Sequence, residues 1–290
     1  MDVNARMIPV LGLRTRVLED GEGTRGSPVV MIHGVGGWAE NFREVMAPIA
    51  ASGRRAIAVD LPGFGESEAP GRVSHFGPRD AFYPKFMVAL LDALQIRSAH
   101  VIGNSMGGSV GYVTAVSAPE RVRSMTFAAG GGLGSDVALF LRLATLPGMI
   151  TLSRLMGDRH QGPAVLRTCF FDPSRISAAL YEESDRFGYR SFPEFVRALR
   201  SGITIRGVKP KLREYWLAQA SRYRGPSLVV WGREDAVLPI AHVADAKEVF
   251  PQAEVRIIEK CGHLLMAERP AEFLDALLPF ISGAETAVGA

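Results

Sequence analysis

Short apolar runs recur along this chain at Val29–Ile32, Ala56–Val59, His100–Ile102, Met125–Ala128, Leu228–Trp231 and Val255–Ile258. Each has the length of a strand and hydrophobic residues almost throughout, the pattern of a strand buried on both faces. Between them lie segments with apolar residues at three- and four-residue steps, such as Phe82, Phe86, Ala89, Leu90 and Leu94, or Phe273, Leu277 and Phe280. That is the period of a helix with one buried face. Strand and helix in alternation leave few topologies, because βαβ crossovers are right-handed and unknotted. The expected fold class is α/β, a mostly parallel sheet with helices on both faces, and its chemistry belongs on loops beyond the carboxyl ends of the strands.

The alternation stops after Ala128 and resumes at Leu228, with only amphipathic helical stretches in the gap. Gly130-Gly131-Gly132 opens the interruption and Arg224-Gly225-Pro226 closes it. The reading is a helical cap over residues 130–224, inserted between core segments 1–129 and 225–290. Charge also sets this stretch apart. Thr151–Arg224 holds 14 Lys or Arg against 7 Asp or Glu, a net +7 that leaves −4 for the rest of a chain with a formal charge of +3. So small an overall charge gives no general nucleic-acid surface. Composition, at 47% hydrophobic and 22% charged, is that of a folded chain.

Cys169 and Cys261 make no disulfide framework, and the first residues show no secretory leader, so a cytoplasmic location is expected. The most apolar stretch, Val137–Leu152, is 16 residues long and broken by Arg142 and Pro147. That is too short to span a bilayer, and no stable membrane insertion is expected. The small, polar tail from Gly283 to Ala290 reads as frayed.

Gly103-Asn104-Ser105-Met106-Gly107-Gly108 lies between the strand His100–Ile102 and a helix-length segment. A serine forced into a sharp strand-to-helix turn needs small residues two before and two after it, which Gly103 and Gly107 supply. Its hydroxyl then stands above the sheet at a helix N-terminus, where developing negative charge is favoured. Such a hydroxyl needs a base, and the base needs a third group to hold it. Of six histidines, His263 follows the strand Val255–Ile258 on the same sheet edge; His33, His75, His100, His160 and His242 have less suitable positions. After Leu228–Trp231 come two adjacent carboxylates, of which Asp235 is taken as the orienting acid and Glu234 as a surface acid. Ser105, Asp235, His263 is the chain order nucleophile, acid, base.

With these residues the sequence resembles the α/β-hydrolase superfamily from about residue 8 to 282. Four stretches carry the resemblance in family order: His33-Gly34-Val35-Gly36-Gly37, Asp60 to Ser67, the Ser105 elbow, and the Asp235 and His263 loops. The resemblance implies an eight-stranded sheet flanked by helices, a helical cap between the sixth and seventh strands, and no metal or cofactor. It assigns the oxyanion hole to the backbone N–H groups of Val35 and Met106, and makes His33 and the Asp60 loop structural.

A serine at the elbow suits acyl transfer, and the expected activity is that of a serine carboxylesterase acting on a small ester or related acyl compound. The Gly-Asn-Ser-Met-Gly-Gly elbow also resembles that of meta-cleavage-product hydrolases, which cut a carbon–carbon bond beside a ketone. That family usually has Trp after the base where this chain has Leu264, and holds a substrate carboxylate with a cap arginine. Arg154, Arg167, Arg186, Arg190 and Arg197 are the cap arginines available for it. Lipase, thioesterase, lactonase and a non-catalytic ligand receptor are the other readings of the fold. The expected pocket comprises Gly34, Trp38, Phe140, Phe170 and Leu264, in a monomer or homodimer.

Overall fold

A computed structural model of the protein describes residues 3–21, 26–156 and 161–288. Its sheet strands are β1 (Asn4–Val10), β2 (Leu13–Asp20), β3 (Val29–Ile32), β4 (Ala56–Val59), β5 (Ala99–Ser105) and β6 (Val122–Gly130), with α1 (Arg43–Ala51), α2 (Phe82–Ala93) and α3 (Met106–Ser117) between them. An insertion of α4 (Leu139–Leu143), α5 (Met149–Met156), α6 (Gln161–Thr168), α7 (Ala178–Gly202), β7 (Ile203–Thr204), β8 (Gly207–Val208) and α8 (Pro210–Leu217) follows. The sheet then resumes with β9 (Ser227–Gly232), α9 (His242–Val249), β10 (Glu254–Ile258), α10 (Leu265–Glu268) and α11 (Pro270–Val288).

Strand order in the eight-stranded sheet is β1-β2-β4-β3-β5-β6-β9-β10. β1 pairs with β2, and β2 with β4, antiparallel; every other pairing is parallel. The central strands β3, β4, β5 and β9 are buried along their whole length, as their unbroken apolar runs require. α1 packs with α11 and α2 with α3, the two pairs flanking the sheet. The expected α/β-hydrolase architecture, with its helical cap between the sixth and seventh sheet strands, is therefore what the chain adopts.

Three local features depart from the sequence reading. The hairpin β1–β2 carries no apolar run because β1, at the sheet edge, exposes five of its seven residues. The insertion carries a second, two-residue hairpin, β7–β8, too short for any periodic signal. The tail is helical rather than frayed from Gly283 to Val288, held by Glu285, whose carboxylate accepts from the Ser27 N–H at 2.8 Å and binds Arg54 at 2.6 Å.

Candidate active site

β5 runs straight into α3, and the turn between them is Ser105, with φ 52° and ψ −120°. Only tight packing holds a side-chain-bearing residue there. The reason for the flanking glycines is visible in what a Cβ would meet: the Gly107 carbonyl oxygen at 2.2 Å from Gly103, and the Ile32 carbonyl oxygen at 2.1 Å from Gly107. Met106 is the first residue of α3, so its N–H has no acceptor within its own helix.

The loop after β3 lies opposite. Gly37 N–H donates to the Gly34 carbonyl at 3.0 Å, closing a turn with Gly36 at φ 75° and Val35 before it. Gly34 passes so close to the elbow that an added Cβ would sit 2.9 Å from the Ser105 Cβ. His33 braces this loop from below. Its Nδ1–H donates to the Gly34 carbonyl at 2.7 Å, and its Nε2 accepts the Leu61 N–H at 2.9 Å. Burial pushes its pKa down to about 4, so the ring is neutral and structural. Asp60 does similar work one strand over, accepting from the Ala39 and Glu66 N–H groups and pairing with Arg16.

His263 stands on the loop after β10. Its Nδ1 is 2.8 Å from Asp235 Oδ2, and both side chains are almost wholly buried. Asp235 Oδ1 in turn accepts the Val237 and Leu238 N–H groups at 2.8 and 2.9 Å. A carboxylate so held takes the Nδ1–H of the imidazole, leaving the Nε2 lone pair free as a base. Glu234, expected as a surface acid, braces the loop by accepting the Cys261 N–H at 3.0 Å.

Two residues unmarked in the sequence reading position His263. Asn104 donates to the carbonyls of Ala128 and His263, at 2.9 and 3.0 Å, tying the base loop to the elbow strand. Glu268, 1% exposed, accepts the N–H groups of Gly262, Phe171 and Asp172, which ties the same loop to the cap. Asn104 lay inside the elbow motif, a signal that pointed at it; Glu268 is an acid in a helical segment with nothing to mark it.

Ser105 and His263 face one cavity of about 310 Å³, which Gly34, Val35, Trp38, Phe140 and Leu264 also line. A smaller cavity of about 120 Å³ shares Val35, Ser105 and Leu141 with it and continues between Tyr112, Val113, Leu212 and Trp216. Phe170 is the exception among the expected pocket residues. The Cys169 carbonyl accepts the His263 N–H at 2.7 Å, drawing this stretch of backbone onto the base loop. Cys169 then lines the cavity while Phe170 turns into the core. Burial pushes the Cys169 thiol up to about 12, so it stays protonated and is no rival nucleophile.

No Lys or Arg lines the larger cavity among the described residues. Arg167 lies by the Tyr181 ring, Arg186 pairs with Glu66, Arg190 is exposed, and Arg197 pairs with Glu194. The side chain of Arg154 lies outside the described residues. No three His, Cys, Asp or Glu side chains come together as metal ligands among the described residues.

A profile of the alpha/beta hydrolase fold matches residues 27–270. The chain is 32% identical over 272 residues to the dihydrolipoyllysine-residue acetyltransferase component of the acetoin cleaving system of Pseudomonas putida, covering 90% of this chain but only 64% of that protein. It is 30% identical over 279 residues to the 2-hydroxy-6-oxononadienedioate/2-hydroxy-6-oxononatrienedioate hydrolase of Burkholderia vietnamiensis, covering 93% of this chain and 92% of that one. Among solved structures, the meta-cleavage product hydrolase of Pseudomonas fluorescens IP01 superposes with a TM-score of 0.74 over 97% of this chain and 98% of its own, at 24% identity.

Proposed function

The chain belongs to the α/β-hydrolase fold family, and on that premise we propose that it hydrolyses a bond at a carbonyl carbon with Ser105 as nucleophile, His263 as base and Asp235 as the group that orients it. The observation that carries this reading is the His263–Asp235 pair at 2.8 Å, opening on the same cavity as a serine held at φ 52°. Ser105 Oγ attacks the carbonyl carbon and passes its proton to His263 Nε2. The carbonyl oxygen takes up negative charge against the N–H groups of Val35 and Met106, each such donor worth about 3 to 4 kcal/mol in this kind of reaction. His263 then protonates the departing group, and water, deprotonated by the same imidazole, releases the acyl product from Ser105. Water is the only co-reactant, and no cofactor is invoked.

Of the two bonds open to this chemistry, the carbon–carbon bond beside a ketone comes first. The Burkholderia vietnamiensis hydrolase, matched over nine-tenths of both chains, is named for substrates of that kind, and the elbow Gly103–Gly108 resembles that of such enzymes. This reverses the order of preference that the sequence suggested. The leaving carbon departs with the electron pair, so the substrate needs a second, conjugated carbonyl to accept it. Two observations favour the carboxylic ester as a second reading: the larger cavity presents no cation among its described lining residues to hold a substrate carboxylate, while Arg213, which lines the smaller one, is held by the Leu133 carbonyl and Asp245; and Leu264 stands beside the base.

Purified protein and its Ser105→Ala variant, offered a vinylogous 1,5-diketone acid and a p-nitrophenyl ester series, separate the two. Faster loss of the dienone chromophore than of any ester supports carbon–carbon hydrolysis, and the reverse supports the esterase. Turnover retained by Ser105→Ala would refute the mechanism in either form.

A further inference from the structure

Eleven large hydrophobic side chains are exposed among the described residues, and seven of them fall between Leu139 and Phe171 in the cap. Five of the seven form two stripes. Leu139, Leu143 and Leu146 follow one another at helical steps through α4 and just beyond it, and Leu152 and Leu155 continue along α5 from Met149 at three-residue spacing. Both stripes reach the cavity that Ser105 and His263 face, since Leu143 and Met149 line it, as does the exposed Val165 of α6. The apolar crest and the apolar cavity are thus one continuous surface. Patches of this kind on a folded chain mark an interaction site.

Charge selects the partner. Residues 139–168 carry four arginines and a single acid. Arg142, between Leu139 and Leu143 on α4, is half-buried, its Nε enclosed without a hydrogen-bond partner. The Arg200 guanidinium rests on the carbonyls of Thr145 and Leu146, at 3.0 and 2.5 Å, at the foot of the crest. Exposed leucines on a stretch whose described side chains include arginines and no acid match a surface with an apolar interior and anionic headgroups.

We propose that the cap crest of Leu139, Leu143, Leu146, Leu152 and Leu155 adsorbs to the surface of an anionic phospholipid bilayer. This is adsorption in the interface plane; no described helix is long and apolar enough to cross a membrane. It goes beyond the proposed reaction and does not depend on which bond is cleaved.

The test is co-sedimentation with vesicles of phosphatidylglycerol and phosphatidylcholine in equal parts, beside vesicles of phosphatidylcholine alone. Wild-type protein should pellet with the anionic vesicles, far less with the neutral ones, and return to the supernatant at high salt. L152E/L155E should bind about tenfold less or weaker, with its melting temperature unchanged. L155E alone, at a position 80% exposed, keeps the test open should the double variant fold poorly. Wild-type protein that stays in solution with anionic vesicles at low salt overturns the proposal. So does a wild-type dimer that these variants dissociate, because a second copy would then cover the crest. Binding is read without turnover, so failure here is distinct from failure of the proposed reaction.

Discussion

Acidification is expected to destabilise this protein through His33. The ring is fully buried, accepts the Leu61 N–H at Nε2 and donates from Nδ1 to Gly34, so a second proton has no acceptor to meet. Burial, the largest influence, lowers its pKa from 6.5 to about 4. As pH falls, the unfolded chain binds the proton first, near 6.5, and the folded chain only near 4. This group therefore leaves stability unaffected above pH 6.5, lowers it by about 1.4 kcal/mol per pH unit between the two values, and levels off below them. The loss by pH 4 is about 3 kcal/mol, roughly a hundredfold or more in the folding equilibrium. His100, lowered to about 4 by its burial, acts in the same direction. Asp60 opposes both: burial raises its pKa from 3.8 to about 6, so the folded chain protonates first and gains stability over that interval. Because these contributions overlap, the test is a difference. Urea unfolding of wild type and His33→Gln, from about pH 7.5 to about pH 4, should show a less stable variant at neutral pH. The wild-type advantage should then shrink by about 3 kcal/mol towards pH 4. A difference that stays constant across that range would refute the reasoning.

Ser105→Gly should abolish turnover and raise stability by about 1 kcal/mol, because glycine relaxes the φ 52° strain; a lower melting temperature would contradict it. Asp235→Asn should lower kcat by about ten-thousandfold with KM near wild type, since the amide no longer holds His263 in its basic tautomer; steady-state kinetics showing less than a tenfold loss would remove Asp235 from the mechanism. Gly107→Ala places a Cβ 2.1 Å from the Ile32 carbonyl oxygen and should cost about 3 kcal/mol or more. By contrast, Gly283→Ala, inside α11 with nothing within 4 Å, should stabilise by about 0.5–1 kcal/mol, and thermal melts of the two variants together check both signs.

Six strands, the order of the fold and the elbow were legible because each rests on local physics. A strand buried on both faces must be apolar throughout, as Val29–Ile32 and Ala56–Val59 are, and a serine in a strand-to-helix turn must have glycines where Gly103 and Gly107 stand. The strand β1 was not legible, since an edge strand with one hydrogen-bonded side exposed has no need of an apolar run. Choosing Asp235 over Glu234 rested on direction alone, and the structure places Asp235 against His263 and Glu234 against the Cys261 N–H.

What the sequence by itself determined is the layered α/β core and the three loops that carry Ser105, Asp235 and His263, because periodicity and turn chemistry act over a few residues. What the tertiary structure alone decided is the pocket. The cap returns to the core across contacts such as Cys169 to His263 and Glu268 to Phe171, between residues about a hundred positions apart. Those contacts turn Cys169 rather than Phe170 into the cavity and leave the cap arginines Arg167, Arg186, Arg190 and Arg197 outside it. An apolar side chain in an amphipathic helix reads the same whether it faces a core, a substrate or a membrane, and only the packing of one element on another distinguishes them.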